Sequence, residues 1–218
     1  MGQKMNPNAM RLGIGKTWKS MWYADDKNYK DKLHEDIKIR EYVTQKLKMA
    51  GLDRVEIARS TNNIQVNAYV ARPGVAIGRG GEGIDEIKKY LSRKIKSNID
   101  IKINEVRKPE LSARIIANSV AEGMQRGQSP KKMMSIEKDK AIQAGAKGVR
   151  IWVSGDFGVP KQSRTMKLTE GNIPLQTLRS NIDFATVAVP IRNEGLRGVR
   201  VWVYREDQEE DNKSESVE

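Results

Sequence analysis

The fold is decided by residues 72–91, RPGVAIGRGGEGIDEIKKYL. Within this stretch Gly78-Arg79-Gly80-Gly81 forms a GxxG loop between a short apolar segment and a helical pattern. The helical pattern comes from Ile84, Ile87 and Leu91, which recur every three or four residues. Glycines at a helix start leave the main chain open to an anion, because no Cβ shields it. The stretch therefore predicts a phosphate-binding turn followed by an amphipathic helix.

The segments around the loop predict a second helix and three strands. Residues 29–50 repeat apolar side chains at helical spacing: Leu33 and Ile37 are four residues apart, as are Ile39, Val43 and Leu47. Residues 55–57 and 64–70 alternate as a hairpin, and residues 99–103 alternate again after the loop. In KH domains, a GxxG loop in such a setting clamps the backbone of single-stranded nucleic acid. A plain helix–turn–helix joint is the alternative interpretation of the glycines.

Two other phosphate-binding motifs are incomplete. Gly15-Lys16-Thr17 resembles the end of a P-loop, but Met10 occupies the place of its first glycine. Gly78, Gly80 and Gly83 match the spacing of the dinucleotide fingerprint. However, Arg72-Pro73-Gly74 separates them from the preceding strand, and no series of strand–helix units follows. Neither motif predicts a nucleotide-dependent enzyme.

The second half of the chain predicts two helices and a mostly antiparallel sheet. Leu111, Ile115 and Val120 lie on one helix, and Ser129-Pro130 begins the next with proline at its first position. Residues 149–153, 184–191 and 199–203 have strand-like patterns separated by glycines. The predicted fold class is α+β.

Composition favours a polyanionic partner. The net charge is +12, and without the acidic segment 206–218 the body carries 39 basic against 21 acidic residues, or +18. The segment 206–218 is predicted to be disordered. There is no cysteine and His34 is the one histidine, so metal and triad chemistry have few candidate ligands. We predict no enzyme activity, no cofactor, no small-molecule substrate and no membrane span.

The basic N-terminal stretch allows two interpretations. Lys4, Arg11, Lys16 and Lys19 precede the first acidic residue, and Trp18, Trp22 and Tyr23 lie among them. The stretch could be an extended arm whose cations meet phosphates and whose aromatic rings stack on bases. It could also be a terminus whose aromatic rings pack onto the folded domain.

Several segments resemble one family in the order expected for it. They are Met1-Gly2-Gln3-Lys4, Arg11-Leu12-Gly13, Ala71-Arg72-Pro73-Gly74, Glu105-Val106-Arg107-Lys108-Pro109-Glu110-Leu111, Gly145-Ala146-Lys147-Gly148, Thr177-Leu178-Arg179 and Gly198-Val199-Arg200-Val201-Trp202. The chain resembles the bacterial-type small-subunit ribosomal protein S three family over nearly its whole length. A free-standing KH regulator of single-stranded RNA is the alternative function.

The resemblance implies a domain organisation. A basic N-terminal arm and helix start would occupy 1–37. A type II KH domain, with a three-stranded sheet and helices on one face, would occupy 38–107. A C-terminal domain at 108–205 would be a two-helix, four-stranded α/β sandwich, followed by the acidic tail. The resemblance also implies a cytoplasmic, ribosome-bound protein in the head of the small subunit, beside ribosomal proteins S ten and S fourteen.

The resemblance further implies two sets of RNA contacts. The ribosomal RNA contacts expected are Lys4, Arg11, Lys16, Arg72, Gly78, Arg79, Gly80, Gly81, Arg107, Lys108, Lys147, Arg164 and Arg179. Lys131 and Lys132 are expected to touch messenger RNA where it enters the subunit and to help open its helices. The family commonly has a third basic residue three positions further on, where this chain has Ser135, so weaker unwinding is expected.

Overall fold

The computed structural model describes residues 4–60, 63–95, 98–158, 162–191 and 195–205. The chain divides into two compact units. The Gly-loop unit is Trp18–Pro109, and the terminal unit joins Met1–Thr17 to Glu110–Glu218. The boundary between the two units falls within the predicted arm, 1–37, at Trp18. The predicted acidic tail, 206–218, lies outside the described residues.

The Gly-loop unit is a mixed sheet covered by helices. Elements are numbered along the chain from α1 (Pro7–Met10), which lies in the terminal unit. The Gly-loop unit contains β1 (Ser20–Met21), α2 (Asp26–Lys46), β2 (Leu52–Arg59), β3 (Asn63–Val70), α3 (Pro73–Ile77), α4 (Glu82–Lys94) and β4 (Asn98–Glu105). The strand order is β1-β2-β3-β4, with β2 and β3 antiparallel and β4 parallel to β3. The two-residue β1 adds to the three predicted strands.

Alternation along the strands builds the core of this unit. Ile64, Val66 and Ala68 of β3 are buried, whereas the residues between them are only partly so, because successive side chains point to opposite faces. Ile87 and Leu91 of α4 pack in the same core. The spacing of apolar residues in the sequence therefore predicted this sheet and this helix correctly.

The two sets of apolar residues spaced along α2 have different environments. Leu33 and Ile37 are 38% and 43% exposed, whereas Asp36 is 2% exposed. Ile39 and Val43 do reach the core. Asp36 can be buried because Arg59 of β2 donates two hydrogen bonds to its carboxylate, at 2.8 and 2.6 Å. The predicted helix is therefore present, and Ile39 and Val43 belong to the set of apolar residues that it buries.

The terminal unit is an antiparallel sheet with two helices. Its elements after α1 are α5 (Ala113–Gln125), α6 (Pro130–Gln143), β5 (Gly148–Gly155), β6 (Arg164–Gly171), β7 (Ile182–Ile191) and β8 (Gly195–Tyr204). The strand order is β6-β5-β8-β7, and every neighbouring pair is antiparallel. Val149, Ile151 and Val153 of β5 pack in one core with Ile116 and Val120 of α5. The predicted two-helix, four-stranded architecture is confirmed.

Candidate nucleic-acid interface

The GxxG loop contains two kinds of glycine. Gly78 ends α3 with φ 73°, and a Cβ there would lie 3.2 Å from the backbone nitrogen of Gly83. A Cβ on Gly83 would lie 2.8 Å from the carbonyl oxygen of Ala76. By contrast, a Cβ on Gly80 (φ 64°) or Gly81 (φ 88°) would meet no atom within 4 Å. Gly78 and Gly83 thus serve chain packing, while Gly80 and Gly81 border open space.

Open backbone at Gly80 and Gly81 leads directly into α4. Gly81 is the N-cap residue of α4 and provides no side-chain cap, so the first N–H groups of the helix lack a side-chain acceptor there. Such groups attract anions. Glu82 and Asp85 lie in the same first turn and offset part of the positive helix end. An anion at the loop would therefore meet main-chain donors and the cationic residue type of Arg79.

Apolar side chains lie exposed just before the loop. Val75 and Ile77 of α3 are 56% and 37% exposed. Ile87 of α4, by contrast, is buried in the core. The exposed apolar surface next to the loop is therefore on α3, on the N-terminal side of the glycines.

Arg11 is a structural residue and not an RNA contact. Its side chain is 1% exposed. The guanidinium donates to the carbonyl oxygens of Ser180 (2.8 Å), Pro7 (3.0 Å), Thr177 (3.0 Å) and Leu175 (3.1 Å). Burial lowers the pKa of Arg11 from its usual value. The prediction that Arg11 binds RNA is wrong, because no phosphate can reach a guanidinium enclosed by these carbonyl groups.

Lys16 is also engaged within the terminal unit. Its ammonium donates to Asn8 Oδ1 at 2.8 Å and forms an ion pair with Asp183 at 3.3 Å. Burial alone would raise the pKa of Asp183, but the charges of Lys16 and Arg205 and the N–H of Ala113 hold it below its usual value. Asp183 thus fastens residues 4–17 to β7. Lys16 is half-buried, and RNA contact by this residue remains a prediction.

The other predicted cations lie exposed. Lys4 lies over the ring of Trp152, 5.6 Å from its centroid. Arg72 precedes α3, and Arg107 and Lys108 follow β4. In the terminal unit, Lys131 and Lys132 lie in the first turn of α6, Lys147 precedes β5, Arg164 begins β6 and Arg179 lies between β6 and β7. All nine of these side chains are exposed. Their contact with RNA is a prediction.

The aromatic residues near the N-terminus have different environments. Trp22 is partly buried, donates from Nε1 to Asp36 Oδ2 at 2.8 Å, and has the guanidinium of Arg59 5.7 Å from its ring centroid. Trp18 and Tyr23 are 66% and 86% exposed. Trp22 therefore packs onto the folded domain, which is the second of the two interpretations of this stretch. Trp18 and Tyr23 remain accessible to solvent. Local spacing could not reveal this network, because Asp36 and Arg59 are 23 residues apart.

Comparison with known proteins identifies the family. A KH domain model matches residues 38–111, and a model of the ribosomal protein S3 C-terminal domain matches residues 120–203. Small ribosomal subunit protein uS3 of Acetivibrio thermocellus is 42% identical over 205 residues, covering 94% of this chain and 90% of the relative. The chain belongs to the uS3 family of ribosomal proteins. The uS3 proteins of Pseudomonas aeruginosa (42% identical, 94% and 90% covered) and Alkaliphilus oremlandii (38%, 94% and 86%) are similarly related.

Family membership confirms the main predictions made from the sequence. The chain has the predicted KH and C-terminal ribosomal domains. It is a ribosome-bound, RNA-binding constituent of the small subunit, as its family is, and works in the cytoplasm. Its family is one of ribosomal proteins.

In the part of the chain that the structure describes, no helix is both long and apolar enough to cross a membrane. No group of three or more histidine, cysteine or acidic side chains in those same residues could hold a metal ion.

Proposed function

We propose that the chain holds ribosomal RNA in the head of the small subunit through its Gly80–Gly81 loop, and guides incoming messenger RNA with Lys131 and Lys132. Ribosomal proteins S ten and S fourteen are its proposed neighbours. The observation that supports the loop most strongly is the open backbone at Gly80 and Gly81 leading into an uncapped helix. Main-chain donors bind phosphate without selecting a base, so we expect binding that depends strongly on salt.

The geometry at α6 supports the messenger contact. Met133 and Met134 are buried and fix the first turn of the helix against the core of the terminal unit. Lys131 and Lys132 are exposed, and in the described parts of the chain neither has a hydrogen bond or ion pair. Cations at a helix N-terminus oppose the helix dipole, so helix stability does not explain them. Two unpaired lysines on a firmly packed turn can contact the phosphates of a messenger RNA backbone as it moves through the entry site.

An apolar strip on α2 supports a protein neighbour. Tyr29, Leu33 and Ile37 are spaced four residues apart and are 50%, 38% and 43% exposed. Exposed apolar side chains grouped on one face commonly mark protein contacts. The strip is therefore the surface of the Gly-loop unit best suited to another ribosomal protein.

A charge-reversal experiment tests the loop. Replacing Arg79 and Gly80 together by aspartates should weaken binding to small-subunit ribosomal RNA by at least 10-fold in ~0.1 M salt, where the Debye length is about 10 Å. The matched control replaces the same two residues by asparagines. Asparagine has the shape of aspartate and tolerates positive φ, so backbone strain is alike and only charge differs. Equal affinity of the two variants for the RNA would contradict the proposed clamp.

A second experiment tests the messenger contact. Replacing Lys131 and Lys132 by alanine should slow translation through a stable hairpin placed where messenger RNA enters, and leave translation of unstructured messages unchanged. Replacing Ser135 by lysine should increase the rate through the hairpin, because it adds a cation one helical turn away. Equal slowing on structured and unstructured messages would contradict the proposal. Normal sedimentation of the variant with small subunits is the control.

A further inference from the structure

The face of the terminal-unit sheet that is turned away from α5 and α6 has an unusual composition. Val149, Ile151 and Val153 point toward the helices, so Arg150, Trp152 and Ser154 point the other way. The strand register places Lys167 of β6 and Arg200 of β8 directly opposite Trp152, one on each side. This row of Lys167, Trp152 and Arg200, together with Arg150, is called here the basic sheet face.

No acidic residue shares this face along β5 to β8. The register brings to it only threonine, serine, glycine, alanine, proline and apolar or aromatic residues besides the three cations. The acids of these strands point to the helix side. Glu170 forms an ion pair with Lys138 of α6, and Asp183 accepts from the N–H of Ala113 in α5. Cations gathered without counter-charges repel one another, which favours an external anion.

The cations of this face have no acidic partner among the described residues. Lys167 and Arg150 contact the Trp152 ring, with 4.9 and 6.0 Å to its centroid, and neither has an ion pair among the described residues. Arg200 is exposed and has neither a hydrogen bond nor an ion pair in that part of the chain. The indole N–H of Trp152 is buried and lacks a hydrogen-bond acceptor there.

Among the described residues, the chain covers one end of the sheet face, and Lys4 lies over the Trp152 ring at its middle. Ile173 packs with Ile182 and Trp202, and Asn8 donates to the carbonyl oxygen of Phe184. At the other end Thr165, Lys167, Thr186 and Arg200 remain exposed. Neighbouring strands lie about 4.8 Å apart, so Lys167 and Arg200 stand ~10 Å apart across Trp152. A flat face with cations on both sides of an aromatic ring fits a nucleic-acid backbone.

We propose that the basic sheet face is a further RNA-binding surface of this chain, which contacts ribosomal RNA through Lys167 and Arg200. The basic sheet face is on the opposite side of the sheet from α6, which carries Lys131 and Lys132. It does not depend on the GxxG loop. Each cation replaces a counterion on one phosphate, and the Trp152 ring provides apolar surface between them.

Salt-dependent binding tests this surface. The full chain, the variant Lys167→Gln/Arg200→Gln and a control, Lys30→Gln/Lys48→Gln, are titrated with a transcript of small-subunit ribosomal RNA over a range of salt. Loss of two phosphate contacts should reduce the slope of log affinity against log salt by ~1.4 to ~1.8. Affinity at ~0.1 M salt should fall about 25- to 60-fold, because each contact contributes the release of its counterion. The control removes equal charge from α2 and the turn after it, and should change the slope less.

The outcomes separate RNA from other partners. A slope equal to that of the control would overturn the proposal. Ultraviolet cross-linking of Lys167 in intact small subunits should yield an RNA adduct. An adduct only with another protein, or with residues 206–218 of this chain, would also overturn it. If the double variant unfolds, Arg200→Gln alone should still reduce the slope by ~0.7 to ~0.9, while Arg200→Lys should not.

Discussion

Arg11 gives the sharpest prediction about stability. Its guanidinium forms four hydrogen bonds of 2.8 to 3.1 Å to the carbonyl groups of Ser180, Pro7, Thr177 and Leu175. A hydrogen bond to a charged group contributes about 1.5–3 kcal/mol, so a simple sum would be ~6–12 kcal/mol. Arg11→Ala leaves a polar cavity into which water can enter and hydrate the carbonyl groups. We therefore expect a loss of ~3–5 kcal/mol, as for other broken buried charge networks.

Hydrogen exchange of the full chain measures this loss where it occurs. Amides of β7 and β8 should exchange roughly 10²- to 10³-fold faster or more in Arg11→Ala, since every 1.4 kcal/mol is a factor of ten. In Arg11→Lys these exchange rates should lie between those of the wild type and of Arg11→Ala, because lysine keeps the charge but not the planar set of five donors. Lys19→Ala, which removes an exposed cation from the Gly-loop unit, should leave these amides unchanged. Unchanged exchange in Arg11→Ala, combined with a loss of RNA affinity, would refute the structural role and restore Arg11 as an RNA contact.

Two further predictions concern acid and backbone packing. The lowered pKa of Asp183 means that its stabilising effect is complete above the unfolded value of about 3.9 and is lost as pH falls toward the lower folded value. The urea midpoint of the terminal unit, measured by near-ultraviolet circular dichroism, should therefore fall more steeply below about pH 4 in the wild type than in Asp183→Asn. Gly83→Ala should destabilise the Gly-loop unit by ~1–3 kcal/mol, since its Cβ would lie 2.8 and 3.0 Å from the carbonyl oxygens of Ala76 and Ile77. Gly80→Ala should cost only about 1 kcal/mol for its positive φ, and equal melting temperatures of the two variants would contradict this assignment.

Local patterns in the sequence predicted the elements whose side chains alternate between core and surface. The β3 run of Ile64, Val66 and Ala68 is such a case, because each apolar residue meets the core. β6 was not located from the sequence. It is an edge strand in which Met166 and Leu168 are only partly buried, so its apolar signal is weak. The apolar alternation in the sequence is therefore clearest in the strands whose apolar side chains are most deeply buried.

Contacts between distant residues account for the predictions that failed. The Asp36 carboxylate is buried because Arg59 meets it from β2, and nothing in the spacing of α2 indicates that partner. Arg11 has the residue type and the position of an RNA contact, but most of its acceptors are more than 160 residues away. The sequence shows which residues are cations, whereas only the fold shows which of those cations are enclosed by other groups of the protein.

The distinction between enclosed and exposed cations has a physical consequence for the whole chain. Arg11 and Arg59 are surrounded by carbonyl and carboxylate oxygens with little solvent contact, so salt screens their interactions weakly. Lys131, Lys132 and Arg200 face solvent, where a Debye length of about 8 Å at physiological salt screens each charge. Added salt should thus release RNA from an intact fold. The net charge of +12 counts enclosed and exposed cations alike. The position of each cation in the fold decides whether it can bind RNA.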